Sequence, residues 1–159
     1  MKKIFKRIGI CIAVLPFVAI ILWIGFELVG MMVNSLAASK QTRQIQRNLQ
    51  DAWQNVTIID TYSETGNTSG TGNHVDMSSV VAFKVDEDLD EIIEKMSGGY
   101  EFNATDCWIQ ELDVVIAYHE KDSACYYFLD DMELPEDTEH CFIFVRNQFA
   151  PFADNIKGH

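Results

Sequence analysis

The chain has 159 residues, of which 24 are acidic and 12 basic, and its formal net charge is −12 at pH 7. Residues 1–47 contain seven basic residues and one acidic residue, whereas residues 48–159 contain five basic and 23 acidic residues. A segment this negative is repelled by nucleic acid and by anionic lipid headgroups, so neither is an expected partner of the C-terminal part. Solubility explains the acidity most simply, and recruitment of cations or of a basic protein is the alternative.

The first element in the chain is an apolar segment, Ile8 to Phe26, that contains no charged residue. As a helix it would extend about 28 Å, close to the roughly 30 Å thickness of the hydrocarbon layer of a bilayer. Four basic residues precede it within the first seven positions, and excess positive charge stays on the cytoplasmic side. The sequence therefore predicts a span through the lipid bilayer, with a cytoplasmic N-terminus and an extracytoplasmic C-terminal domain.

A cleaved signal peptide is the alternative interpretation of this apolar segment. A secretory apolar core is about 7–15 residues long and lies close to a small-x-small cleavage site. The best candidate site here, Ser35-Leu36-Ala37, lies well beyond Phe26 and follows the further apolar residues Leu28 to Val33. An uncleaved signal-anchor is therefore favoured. The predicted organisation is a basic tip and anchor over residues 1–36, a juxtamembrane helix over 37–55, and an acidic α+β domain over 56–159.

The juxtamembrane helix is predicted from apolar residues at helical spacing: Ile45, Leu49, Ala52, Trp53 and Val56. This narrow stripe can dock on the domain or on a second copy of the chain. A further helix is predicted over Asp86 to Met96, where apolar residues recur at i, i+3, i+4 and i+7 and a Gly-Gly pair follows.

The remaining segments predict a mainly antiparallel sheet of five or six strands, with one amphipathic helix packed on it. The Gly-rich tract Ser63 to Asn73 should be a loop between the first two strands. From Leu112 to His119, large apolar side chains occupy every second position, which is typical of a strand. A second apolar segment, Ala124 to Leu129, follows, so the two segments predict a hairpin. Tyr100 to Glu111 is ambiguous between a turn and an irregular strand. The other predicted strands are Val56 to Tyr62, Met77 to Val85 and Cys141 to Arg146, and the tail after them has apolar residues that can lie on the domain.

Cys107, Cys125 and Cys141 lie outside the apolar segment, and their spacing matches no zinc module. Buried thiols, or one bridge between Cys125 and Cys141, account for them. A thiol–imidazole pair of Cys125 with His119 or His140 is the catalytic alternative, although side chains six residues apart across a tight hairpin project from opposite faces of a sheet.

The acidic residues suggest two cation sites. Asp86, Asp88 and Asp90 have the first spacing of a calcium loop, but Glu91 replaces the required Gly, so an EF-hand is rejected. The second candidate cation site is the acidic connection Asp130 to Glu139, with the carboxylates Asp130, Asp131, Glu133, Glu136 and Asp137. A solvated loop is the simpler interpretation of this segment.

Three N-x-[ST] triplets occur, at Asn55, Asn67 and Asn103, and in a host that glycosylates secreted asparagines Asn67 in the expected exposed loop would be the best acceptor.

The sequence thus favours a single-pass membrane protein whose extracytoplasmic domain acts by binding, as an interaction module of the cell envelope with a possible protein partner. It assigns no catalytic, cofactor-binding or metal-binding residue. A membrane-tethered hydrolase or thiol enzyme is the alternative, and thiol reactivity discriminates between the two because a catalytic cysteine needs a depressed thiol pKa.

Overall fold

A computed structural model describes residues 2–67 and 74–152, with side chains from Ala13 onward. The described elements form three layers, with helices on both faces of one four-stranded sheet. In chain order they are α1 (Lys2–Ala52), β1 (Thr57–Gly66), β2 (Asp76–Lys84), α2 (Leu89–Met96), β3 (Cys107–Glu111), α3 (Leu112–His119), a short 3-10 helix (Tyr127–Asp131) and β4 (Cys141–Phe149).

Helix α1 joins the predicted anchor and the predicted juxtamembrane helix into one continuous element. Its stretch Ala13–Ala52 is, in the described part of the chain, the one helix long and apolar enough to cross a membrane. It is therefore a candidate membrane span or signal anchor, by length and composition. Its large apolar side chains from Val14 to Phe26 are exposed.

The second half of α1 packs on the sheet. Ile45 and Leu49 are fully buried and Trp53 nearly so, in one cluster with Phe83 and Phe144. The predicted apolar stripe thus docks on the domain of its own chain. Burial of such side chains contributes about 1.5–3 kcal/mol each, so this half of α1 belongs to the folded core.

The sheet is antiparallel, with strand order β1-β2-β4-β3. The predicted hairpin of the first two strands is confirmed, and a register shift between Ile58 and Asp60 marks a bulge in β1. β1 continues to Gly66, so Ser63 to Gly66 belong to a strand and not to the expected loop. Residues 68–73 of that expected loop lie outside the described residues.

The predicted hairpin of Leu112 to His119 with Ala124 to Leu129 is wrong. The first segment is helix α3, and the second is a turn that enters the 3-10 helix. The sheet therefore has four strands instead of five or six. Leu112, Val115 and Ile116 are spaced at i, i+3 and i+4, which suits a helix, and the first two are buried. The ambiguous segment supplies β3 instead.

Each face of the sheet has its own apolar cluster, because side chains alternate along β2 and β4. On the first face, α1 and α2 cover Val81, Phe83 and Phe144. On the second face, α3 and the 3-10 helix cover Val80 and Ile143. A helix over Leu112–His119 is favoured over a fifth strand because it shields this second apolar face from water.

The last described residue, Phe152, packs on α1, in agreement with this part of the predicted apolar tail, whereas Phe149 of the same tail is exposed. The Asn34 side chain is fully buried; its Nδ2 donates to the Phe152 carbonyl at 2.8 Å, and its Oδ1 accepts from the Phe152 amide at 2.9 Å. The Phe152 ring lies on Gly30, where an added Cβ would clash with the ring. Its centroid is 4.7 Å from that of Phe26. Gly30 and Asn34 thus form a clamp for the tail.

If the second half of α1 is core, replacing Leu49 by Ala should lower the free energy of unfolding by about 2–5 kcal/mol, since a fully buried side chain leaves a cavity. Denaturant unfolding of the full chain in detergent, followed by near-UV circular dichroism, measures this change. The neighbouring Gln50→Ala is the control, because Gln50 is exposed. Equal effects of the two substitutions would contradict the packing.

Candidate binding cleft

An open cleft lies at the end of the sheet that α3 leaves uncovered, and its lining combines residues of the second face with Tyr100, Cys107 and Arg146 from the first. Its floor comes from the start of β2 and the end of β4, where Asp76 pairs with Phe149 and Ser78 with Asn147. Because paired residues of antiparallel strands share a face, all four side chains belong to the same surface. The cleft has a volume of about 1320 Å³.

Aromatic side chains form one wall of the cleft. The Tyr126 ring stands between Trp108 and Phe128, with centroid distances of 5.8 and 5.9 Å. The Tyr127 ring contacts Phe128 edge to face at 6.1 Å and Tyr62 at 6.4 Å. Such edge-to-face contacts each add about 0.5–1.5 kcal/mol beyond burial. The wall is therefore held in place by rings that pack on one another.

Tyr127 in this wall and Tyr62 beside it keep their phenolic protons at neutral pH. Burial, together with the nearby Glu64 carboxylate, raises the pKa of Tyr127 well above its usual range. Burial and a hydrogen bond to Glu64 raise the pKa of Tyr62 similarly, and its hydroxyl donates to Glu64 Oε2 at 2.9 Å. At neutral pH both phenols are hydrogen-bond donors and neither is a nucleophile.

The cleft also carries polar groups suited to recognition. Asp76 is buried, and its Oδ1 lies 3.2 Å from His74 Nε2. The His74 ring meets Phe149 edge to face at 4.9 Å, and Phe149 is 74% exposed. The Oε1 atom of Gln110 is buried and has no hydrogen-bond partner. A buried polar atom without a partner costs about 1–3 kcal/mol, so Gln110 is the polar residue of the cleft lining whose hydrogen bonding is incomplete.

The cysteines and histidines considered for catalysis are not assembled. Cys125 is exposed in a turn, where its Sγ donates to Asp122 Oδ2 at 3.3 Å, while His119 Nε2 is 3.0 Å from Asp130 Oδ1. The hydrogen bond to Asp122, aided by desolvation, raises the pKa of Cys125. A nucleophilic thiol needs the opposite shift. His140 precedes β4 and faces Asp86 at 3.6 Å.

The thiols outside α1 are free, so no bridge joins Cys125 to Cys141. The expectation that Cys125 lies in a strand is wrong, whereas Cys141 is buried in β4 as expected. Burial also raises the pKa of the Cys107 thiol to about 11. Both buried thiols behave as apolar side chains.

Two carboxylates of the acidic connection, Asp130 and Asp137, interact with separate protein groups. Asp130 faces His119, and Asp137 accepts from the Glu139 amide at 3.1 Å and faces Lys84 at 3.5 Å. Across residues 13–67 and 74–152, no group of three or more His, Cys, Asp or Glu side chains is placed to hold a metal ion.

Of the three sequons, Asn55 and Asn103 are exposed, whereas Asn67 is half-buried. The expectation that Asn67 is the best acceptor rested on an exposed side chain, and the Asn67 side chain is less exposed than those of Asn55 and Asn103.

The cleft residues Trp108, Tyr126, Tyr127 and Phe149 were not singled out from the sequence. The three consecutive aromatics Tyr126 to Phe128 were the available signal, but an assignment to a strand hid it, because a strand would place their rings on alternating faces.

Comparison of the chain with protein-family models, curated proteins and solved structures gave no match.

The Cys125 environment predicts a slow thiol at neutral pH. In a Cys11→Ser background, Asp122→Asn should raise the rate of alkylation by iodoacetamide several-fold, because it removes the carboxylate that raises the Cys125 pKa. A pH series of rates on the full chain in detergent measures the effect. Asp113→Asn, which removes the same charge from an exposed position of α3, is the control. A thiol that reacts faster in the parent than in Asp122→Asn would restore the case for a thiol enzyme.

Proposed function

We propose that the protein is a single-pass membrane component of the cell envelope, with its folded domain outside the cytoplasm, and that it acts by binding rather than by catalysis. The observation that carries this proposal is the continuity of α1. The same helix has an exposed apolar first half and a second half buried in the domain core. An exposed apolar stretch of this length is unfavourable in water and suits a bilayer.

The orientation is supported by the four basic residues ahead of the apolar stretch. The binding role is supported by the cleft, which combines an aromatic wall with convergent polar groups, as ligand and peptide sites commonly do. The raised pKa values of Cys125, Tyr62 and Tyr127 argue against nucleophilic catalysis by these side chains at neutral pH.

Membrane placement is tested with the full chain carrying a C-terminal tag. The tagged chain should remain in the membrane pellet after alkaline carbonate extraction, because an integral helix is held by its apolar surface. Protease added to intact cells without an outer membrane, or to spheroplasts, should digest the tag. A soluble product shortened at its N-terminus would indicate a cleaved signal, and a protected tag would indicate the opposite orientation.

Binding at the cleft is tested with a photo-crosslinking amino acid in native membranes. Placed at Gln110, the crosslinker should give a discrete adduct, since this position lines the cleft and carries the unpaired acceptor. The matched control places it at Glu94, which is exposed on α2. The same adducts from both positions, or none from Gln110, would contradict binding at this cleft.

A further inference from the structure

The apolar exposed surface of α1 does not stop at Phe26. On one side of the next three turns, Leu28, Val29, Met32 and Leu36 are 55–65% exposed. On the other side, Gly30, Asn34 and Ala38 are buried under the domain. One helix face is thus covered by protein, and the opposite face presents a row of large apolar side chains.

The chain end occupies the same level of α1. Phe152 packs on Phe26 and Gly30 through the Asn34 clamp, and the highly exposed Phe149 lies three residues earlier. This end of the domain therefore has one aromatic side chain, Phe152, level with the start of the apolar row, and interfacial layers commonly hold aromatic side chains.

The helix from Ile8 to Leu36, with Glu27 as its one charged residue, is long enough for a complete bilayer. From Ile8 to Leu36 the helix rises about 43 Å, and a bilayer with its headgroup layers is about 40–45 Å thick. The next exposed basic residues are Lys40 and Arg43, one turn or two beyond Leu36. Cations at that level meet lipid phosphates favourably.

The acidity of the domain is directed away from this end. Ser79 Oγ donates to the Ala38 carbonyl and Gln41 Nε2 donates to Gln148 Oε1, so the start of β2 and the end of β4 lie beside this part of α1. Among described residues 63–67, 74–79 and 147–152, the acidic ones are Glu64 and Asp76, and both have protein partners. Asp106 is a third carboxylate near this end, in the loop that hydrogen-bonds Asn147, and its Oδ2 accepts from Asn103 Nδ2. The acidic runs at 86–94 and 130–139 flank the opposite ends of β2 and β4.

We propose that the outer boundary of the bilayer lies near Leu36 rather than near Phe26, so that the apolar row is seated in the membrane. The occupant of the exposed face is therefore the interfacial layer of the membrane. This inference rests on the proposed function, because it requires the apolar helix to remain in the membrane. The clamp around Phe152 then keeps the polar Asn34 side chain turned toward protein, where its hydrogen bonds are satisfied.

The native Trp23 reports the boundary. If the hydrocarbon layer ends at Phe26, Trp23 lies about 5 Å inside its outer edge. If the bilayer is centred between Ile8 and Leu36, Trp23 lies within about 2 Å of its midplane. The full chain is reconstituted in phosphatidylcholine vesicles whose acyl chains are brominated either near the headgroup or near the chain end. The emission of Trp23 is obtained by subtracting the emission of the Trp23→Phe variant from that of the parent chain. This subtraction removes the contributions of Trp53 and Trp108.

The proposal expects chain-end bromines to quench Trp23 more strongly than headgroup-proximal bromines. It also expects Met32→Trp, in the Trp23→Phe background, to lose part of its added emission to headgroup-proximal bromines, because Met32 then lies about 15 Å from the midplane, at the edge of the hydrocarbon layer. Glu94→Trp on α2 is the matched control and should lose none.

Stronger quenching of Trp23 by headgroup-proximal bromines would overturn this boundary while leaving the span intact. A blue-shifted, unquenched Met32→Trp would assign the face to a second copy of the chain and also overturn it. Absence of Trp23 quenching by either lipid would instead remove the span, and with it the proposed function.

Discussion

The structure depends on the packing of the second half of α1 against the first face of the sheet. Ile45, Leu49 and Trp53 are part of the same core cluster as the central strands. Since the helix is continuous, the direction of its apolar first half is fixed by this packing. A domain joined to its apolar segment by a rigid helix cannot rotate freely, as a domain on a flexible linker can. Its cleft therefore keeps a constant orientation to whatever holds the apolar half.

The cleft follows from unequal coverage of the two sheet faces. α1 and α2 cover the first face over most of its length, whereas the second face is covered only by the eight-residue α3 and the five-residue 3-10 helix. Among the described residues, no helix lies over the second face at the start of β2 and the end of β4. The residues there become polar, with Asp76, Ser78 and Asn147 in place of Val80 and Ile143. Polar side chains at this end remove the hydrophobic cost of leaving a sheet face open.

Sequence patterns predicted the elements whose periodicity had a single interpretation. The β1–β2 hairpin, α2 and β4 agree with the structure within a few residues. Leu112 to His119 failed because Leu112, Val115 and Ile116 satisfy a helical spacing while the same stretch also alternates. The decision between the two depends on which sheet face needs covering, and that is a property of the tertiary fold. The cleft was missed for the same reason, since the turn after α3 brings Tyr126 toward Trp108.

The acidity of the domain also bears on its chemistry. Cys125 and His119, the groups best suited to nucleophilic or general-base roles, each have a carboxylate as hydrogen-bond partner, Asp122 and Asp130. A carboxylate beside a thiol disfavours the thiolate, which is the reactive form, and so opposes activation. An acid-rich surface therefore works against thiol catalysis wherever a cysteine is exposed. The same surface does not oppose binding, because the aromatic wall and the protonated hydroxyls of Tyr62 and Tyr127 act through apolar contact and hydrogen bonds.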